Sequence, residues 1–172
     1  SIEQLSIMIE ELPKRKNHSK ETTRIALLLC YIKRRCNLFF REKETNIVSI
    51  DELMIYMEEL SEIAKYTNVQ IAIINEIKGN VAIRYATLFY DFFYEVTDLA
   101  IQADCPYIIQ DLGVEGELLI MRLLPSENIG PFKLGPRLIA AISTAKGQVT
   151  TKDLEDTIGI SISFPKGGDV DD

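Results

Sequence analysis

The side chains that most often perform catalysis or bind metals are scarce in this sequence. Its 172 residues include one histidine, His18, and three cysteines, Cys30, Cys36 and Cys105. The cysteines lack CxxC spacing, and no Ser/His/Asp or Cys/His arrangement pairs a nucleophile with a base. We therefore predict no metal centre, and an unrelated small-molecule enzyme is disfavoured.

Charge and cysteine usage narrow the class of protein further. The formal net charge is −7, which repels both a nucleic-acid backbone and an anionic membrane surface. Three cysteines without paired spacing indicate a reducing compartment. The basic run Lys33-Arg34-Arg35 is interpreted as a solvated helix face, the alternative being a contact with the acidic tail or a receiver domain. We expect a cytoplasmic location and no nucleic-acid partner.

The sequence carries no signal for membrane insertion or secretion. No apolar run reaches the roughly 20 residues that cross a bilayer, and the first residues lack a basic n-region. Because the chain begins at Ser1 rather than Met, we expect a fragment of a longer protein with a membrane or sensing part upstream.

Helices are predicted for the first part of the chain. Apolar spacing indicates a short helix over residues 2–12, a polar loop containing His18, and a long amphipathic helix from Thr22 to about Arg41. The apolar face of the long helix is wide enough to imply a second helix or a second subunit as a partner. Ser49 and Glu52 form a capping box that opens a helix to about Tyr66.

Strands and helices alternate after residue 68, which predicts one mixed sheet. A two-layer α/β sandwich of the α+β type, with all helices on one face of the sheet, buries these elements economically. The predicted elements are a strand over Val69–Asn75, a helix over Ile83–Gln102, a hairpin of Tyr107–Gln110 and Glu117–Leu124 around a glycine-bearing loop, a helix over Leu134–Lys146 closed by Gly147, and a hairpin of Gln148–Lys152 and Ile158–Phe164.

Two strings carry a resemblance to a known family. The stretch LGPRLIAAISTAKGQVTTKDLEDTIGISISFP is similar to the end of the GHKL, or Bergerat, ATP-binding domain of sensor histidine kinases, and LFYDFFYEVTDLAIQAD resembles its N-box helix. The resemblance implies dimerisation helices over residues 1–45, an ATPase-like domain over 46–166 and an acidic tail over 167–172. It also implies ATP with Mg²⁺ as the cofactor.

The resemblance assigns the N-box residues by position. Glu95 falls where the family has its catalytic glutamate, but Leu99 falls where an asparagine helps to hold Mg²⁺. A leucine offers no oxygen to a hard cation. Asp98 would have to serve instead, through a shifted register.

The other nucleotide-binding motifs are incomplete in this sequence. Asp111 and Gly113 resemble the adenine-binding DxGxG motif in letters, but we favour a plain β-turn at these residues. One lid glycine, Gly135, remains, and its alternative reading is an ordinary helix start. Lys133 and Thr157 complete the nucleotide-binding candidates. His18 would be the phosphoacceptor, but Ser19 and Lys20 follow it instead of an acidic residue, so we favour a solvated loop histidine.

These observations lead to one expected function and two alternatives. We expect a signal-transduction module with lost or weakened ATP binding. It would act through a homodimer of its N-terminal helices and through contacts with a response regulator or another protein. The alternatives are an active ATP-binding histidine kinase domain and a partner-binding protein of the anti-sigma type.

Overall fold

A long helix precedes the strands in the described part of the chain. The computed structural model describes Gln4, residues 16–130 and residues 133–167, with the backbone alone for residues 16–19. Helix α1 spans Lys16–Glu42. The predicted loop around His18 is therefore wrong, because Pro13 is the last helix breaker before Glu42 and Lys, Ser and Glu are compatible with a helix. Apart from Gln4 and Gly167, the predicted first helix and the acidic tail lie outside the described residues.

A short β-ladder and a capped helix follow α1. Strand β1 (Ile47–Ser49) pairs antiparallel with β3 (Asn80–Ala82), and helix α2 spans Ile50–Ala64. The Ser49 Oγ atom accepts a hydrogen bond of 3.2 Å from the Asp51 N–H, as an N-cap should. The Glu52 carboxylate pairs with Arg41. The predicted helix is confirmed. Its Glu52, which was predicted to complete the capping box, instead joins α2 to α1.

The remaining elements build the sheet predicted from the sequence. They are β2 (Gln70–Asn75), α3 (Ile83–Gln102), β4 (Tyr107–Glu115), β5 (Leu118–Pro125), α4 (Pro136–Thr144), β6 (Gln148–Asp153) and β7 (Ile158–Pro165), with a 3-10 turn over Lys65–Thr67. The five-stranded sheet has the order β2-β4-β5-β7-β6, in which β2 and β4 run parallel and every other pair is antiparallel. The two-layer α+β architecture is thereby confirmed.

Alternate residues of the central strands form the core with α2 and α3. Phe164 of β7 stacks on Tyr85 of α3 with ring centroids 4.7 Å apart, and it meets Phe89 edge to face. Each such buried side chain stabilises the fold by about 1.5–3 kcal/mol. Other members of this core are Leu60, Phe92, Phe93, Ile108, Leu112, Met121, Leu123, Ile160 and Ile162. Because α1 packs on α2 and α3, it is fastened to the helical layer.

Two glycine assignments are corrected by the structure. Asp111 to Glu115 belong to strand β4, and only Gly116, with φ +60°, lies in the tight turn. At the end of α4 the left-handed residue is Lys146, with φ +61°, and Gly147 is not left-handed. A Cβ atom on Gly147 would lie 2.5 Å from the Phe164 ring, so packing against β7 requires this glycine.

No helix in the described part of the chain is long and apolar enough to cross a bilayer.

Candidate functional site

Helix α3 carries three acidic residues on the side that turns away from the sheet. Asp91, Glu95 and Asp98 follow one another at spacings of four and three residues, which places them along one stripe of a helix. The opposite side of α3 is apolar and buried, including Phe92 and Val96. The core therefore orients the acidic stripe.

Helix α1 pairs with two members of this acidic stripe. The Arg24 guanidinium donates to both oxygens of Asp98, over 2.8 and 3.1 Å. Arg35 Nε lies 2.7 Å from Asp91 Oδ1, to which the Tyr31 hydroxyl also donates over 2.6 Å. Bidentate and charge-assisted bonds of this kind are the strong ones in proteins. They fasten α1 along α3.

Burial dominates the protonation behaviour of Asp91. Its side chain is only 14% exposed, and burial raises its pKa even though the Tyr31 hydroxyl and Arg35 act in the opposite direction. Burial also raises the pKa of the Tyr31 hydroxyl, with the Asp91 charge adding to the effect. Tyr31 stacks on Tyr94 with centroids 4.0 Å apart. The contact between α1 and α3 is thus partly desolvated.

Glu95 points to the start of α4. Its Oε1 atom accepts a hydrogen bond of 2.9 Å from the backbone N–H of Gly135, the residue that caps α4. Burial raises the pKa of Glu95, opposed by this bond and reinforced by Asp91. A helix N-terminus favours an anion. Here a side-chain carboxylate of the same chain binds there.

A cleft lies between α1, α3 and α4. It has a volume of about 710 Å³ and is lined by Tyr31, Arg35, Asp91, Tyr94, Glu95 and Arg137, together with Gly135 and its neighbours in α4. A second cleft of about 630 Å³ shares Arg35 and Asp91 and continues to Arg84 and Lys146. The volumes are in the range of small-molecule sites. Both basic and acidic groups line them.

The structure brings some of the predicted site residues together. Glu95 and Gly135 are in direct contact in the cleft, whereas Asp98 faces Arg24 and also accepts a bond of 3.1 Å from Gln102. Leu99 is partly buried against the core. The helix predicted over Ile83–Gln102 is therefore present, with Asp98 engaged by α1.

Other predicted residues lie elsewhere. Asp111 and Gly113 alternate with the core residues Ile108 and Leu112 on β4, so they face the other side of the sheet. A Cβ on Gly113 would lie 2.7 Å from Glu76 Oε2, and Asp111 Oδ1 is buried without a hydrogen-bond partner in residues 16–130 and 133–167. These two residues do not meet Glu95.

The last three candidates have separate surroundings. Thr157 Oγ1 donates to the carbonyls of Pro125 and Glu127, over 2.7 and 3.1 Å, and so ties the β6–β7 turn to the loop after β5. Lys133 is exposed just before α4. His18 is helical in its backbone within α1.

Sequence reasoning overlooked the partners contributed by α1. Arg24, Tyr31 and Arg35 follow one another at spacings of seven and four residues, which complements the acidic stripe of α3. Two helical stripes of opposite charge are a signal that the sequence contains, but it does not say which helices pack together. In the described ranges, no group of three or more His, Cys, Asp or Glu side chains could hold a metal ion.

Comparison with known proteins identifies the fold. The histidine kinase domain of the blue-light activated histidine kinase EL346 of Erythrobacter litoralis is 13% identical, with a TM-score of 0.58 over 94% of this chain and 92% of that chain. The Acinetobacter baumannii histidine kinase AdeS is 11% identical, with a TM-score of 0.56 over 97% and 95%. The catalytic domain of histidine kinase ThkA is 14% identical, with a TM-score of 0.56 over 70% of this chain and 94% of that chain.

These similarities confirm the fold expected from the resemblance. The chain has the fold of these histidine kinase domains, and identities of 11% to 14% show the fold alone. No family model matches the sequence, and no curated protein matches it.

Proposed function

We propose that this chain is a cytoplasmic signal-transduction module with the histidine kinase fold, in which nucleotide binding is lost or weakened. It acts through dimerisation and through contacts with a response regulator or another protein. Residues 1–45 form its dimerisation segment, residues 46–166 its ATPase-like domain and residues 167–172 its acidic tail. The observation that carries the proposal is the hydrogen bond from the Gly135 N–H to Glu95.

That bond weakens the case for a bound phosphate. In the family pattern, the start of the lid helix offers backbone N–H groups to phosphate. In this chain the Glu95 carboxylate already accepts from the Gly135 N–H, and an incoming phosphate would meet a negative charge there. Asp98 is likewise committed to Arg24.

The residues present fit Mg²⁺ with ATP poorly. The position of the metal-binding asparagine is Leu99, which has no oxygen in its side chain and packs against the core. The adenine-binding candidate Asp111 lies on the other face of the sheet, away from Glu95 and Gly135. We therefore assign no catalytic step to a nucleotide here.

A calorimetric titration of the purified chain with Mg-ATP tests this part of the proposal. We expect no saturable heat at millimolar nucleotide. Saturable binding that is abolished by Asp98→Ala or Asp111→Ala would instead favour the active kinase. The exposed Asp153→Ala serves as a control for a general charge effect.

The dimerisation part rests on the outer face of α1. Ile25, Leu29, Ile32, Cys36 and Phe39 follow alternating spacings of four and three residues, and all five are exposed. This spacing is the a/d pattern of helices that pack side by side. The opposite side of α1, with Leu27 and Leu38, is buried against α2 and α3. A second copy of α1 would cover the outer face.

Sedimentation analysis tests the dimer. The wild-type chain should dimerise, and Leu29→Lys with Ile32→Lys should give a folded monomer. Ile139→Lys changes a 44% exposed isoleucine of α4 and should leave the dimer intact. A monomeric wild type at high concentration would contradict this part. Copurification of a transcription factor with a monomeric chain would favour the anti-sigma type of function.

Crosslinking reports how the two helices run. In a parallel, in-register pair the two Cys36 side chains face each other, whereas Cys30 is partly buried and Cys105 is only 1% exposed. A mild oxidant should then give a covalent dimer in the wild type and in Cys105→Ser, and none in Cys36→Ser. An uncrosslinked dimer would indicate antiparallel helices.

A further inference from the structure

One edge of the sheet lacks the devices that usually prevent strands from pairing with other chains. The strand order leaves β2 and β6 at the two edges. Strand β6 reads QVTTKD, is exposed along its whole length and carries Lys152. Strand β2 reads QIAIIN and has neither lysine nor proline. Because exposed apolar edges invite a further strand, natural proteins usually blunt them with charges, proline or a cover. Strand β2 has no such blunting residue.

A groove runs between this edge and helix α2. It has a volume of about 410 Å³, and its apolar lining is Ile55, Ile71 and Ile73. Ile55 is 54% exposed, so the groove offers an apolar surface beside the free edge of β2. Ile74, which is 46% exposed, lies opposite Asp111 in the ladder and therefore on the other face of the sheet. The groove and the cleft at Glu95 have different lining residues. A long hydrogen bond, 3.4 Å from Ser61 Oγ to the Ile71 carbonyl, joins the two groove walls.

The groove is acidic on its α2 side. Glu58, Glu59 and Glu62 line it with a single basic residue, Lys65. Glu59 is paired with Arg34 and Glu62 with Lys65, whereas Glu58 is exposed and has no ion-pair partner in the described part of the chain. The surplus negative charge favours a basic occupant.

The negative charge of the groove favours a segment of a partner protein over a second copy of this chain. Pairing β2 with its own symmetry mate would bring two acidic α2 walls towards each other, and like charges in such a position are destabilising. An extended segment with alternating basic and apolar residues would place its cations on the α2 side and its apolar side chains on the opposite face of the sheet, beside Ile74.

We infer that the edge of β2, together with the groove along α2, binds an extended basic and apolar segment of a partner protein as a sixth strand of the sheet. Main-chain hydrogen bonds to β2 would supply affinity, and Glu58, Glu62 and Ile55 would supply selectivity. Strand addition at β2 is independent of the proposed function, because it requires neither nucleotide binding in the cleft nor dimerisation through α1.

The test uses a synthetic peptide as the probe, acetyl-KVKIKVK-amide, with binding followed by fluorescence anisotropy. We expect saturable binding, slower amide hydrogen exchange in β2, and a loss of about tenfold or more in affinity when Glu58→Lys and Glu62→Lys are combined. Ile55→Lys should also weaken binding, and its exposed position allows the variant to fold. Val149→Lys changes a 38% exposed residue on the opposite edge and should leave the affinity unchanged.

Three results would overturn the inference. The first is no binding at millimolar peptide. The second is equal binding of a peptide that is N-methylated at alternate amides, because such a peptide keeps its charge but cannot extend a sheet. The third is dimerisation of the wild-type chain that is lost in Ile55→Lys and kept in Leu29→Lys, because the edge of β2 would then bind a second copy of the chain.

Discussion

The Glu95 carboxylate and the Gly135 backbone N–H are joined by a hydrogen bond of 2.9 Å, forty residues apart in the chain. Glu95 lies on α3 and Gly135 caps α4, so the bond ties the start of the shorter helix to the acidic stripe of the longer one. A Cβ on Gly135 would lie 3.0 Å from Glu95 Oε1. The absence of a side chain at Gly135 thus allows this close approach.

Glu95→Gln is expected to change the pH dependence of stability. Burial raises the pKa of Glu95 above its ordinary value of 4.5, so the folded state binds the proton more tightly than the unfolded state does. The stability that this group contributes is complete below pH 4.5 and is lost as the pH rises through the folded-state pKa. Glutamine keeps an oxygen for the Gly135 N–H without the buried charge. The variant should therefore gain stability relative to the wild type as the pH rises.

Urea unfolding at several pH values from 4 to 8 measures this difference. The difference between variant and wild type reports Glu95 together with its interaction with Asp91, whose pKa is raised as well. The exposed Glu58→Gln is the matched control for the loss of a surface carboxylate. A Glu95→Gln variant that loses stability with rising pH would show that the charge on Glu95 stabilises α4.

Arg24 and Asp98 should be coupled in a double-mutant cycle. Their bidentate contact is partly exposed, with 40% of the Arg24 side chain and 18% of the Asp98 side chain accessible. We expect a coupling free energy of about 1 kcal/mol between Arg24→Met and Asp98→Asn, less than for a fully buried pair. Urea unfolding of the four proteins provides the value. Additive single effects would mean that the contact holds α1 only weakly.

Leu99→Asn should not restore a magnesium site. Leu99 is partly buried, so the substitution should cost about 1–2 kcal/mol and leave the protein folded. We expect no gain in Mg-ATP affinity, because the neighbouring Asp98 is held by Arg24 and Glu95 by Gly135. Leu99→Ala is the control for lost packing. Mg-ATP binding by the asparagine variant and not by the alanine variant would favour the active kinase.

The architecture could be predicted from the sequence because the spacing of apolar residues reflects which residues are buried. The apolar stripe of α3, the apolar run of β5 and the alternation in β7 indicate residues that lie in the core, and the structure confirms the helix and the two hairpins. Short elements carry too few residues for a period. Strands β1 and β3, of three residues each, were therefore not predicted.

The site was less predictable because it depends on contacts between distant elements. The sequence indicated Glu95 and Gly135 separately, but it did not indicate that one would bind the other. The role of Asp91 was missed, because its partners Arg35 and Tyr31 lie more than fifty residues earlier, on a helix that was expected to serve dimerisation. The letters of Asp111 and Gly113 suggested a motif, although β4 carries both residues away from the cleft.

Gly147→Ala should destabilise the fold through packing rather than through backbone strain. The added Cβ would lie 2.5 Å from the Phe164 ring and 2.9 Å from Ile142, both of which are buried in the core. We expect a loss of about 1–3 kcal/mol, as for other overpacked cores. Gly159→Ala is the matched control on the neighbouring strand, because its Cβ would meet no atom closer than 3.8 Å. Thermal and urea unfolding should separate the two variants. If Gly147→Ala were as stable as Gly159→Ala, α4 could move away from β7 at little cost, and the link from α4 to the sheet would be looser than these distances imply.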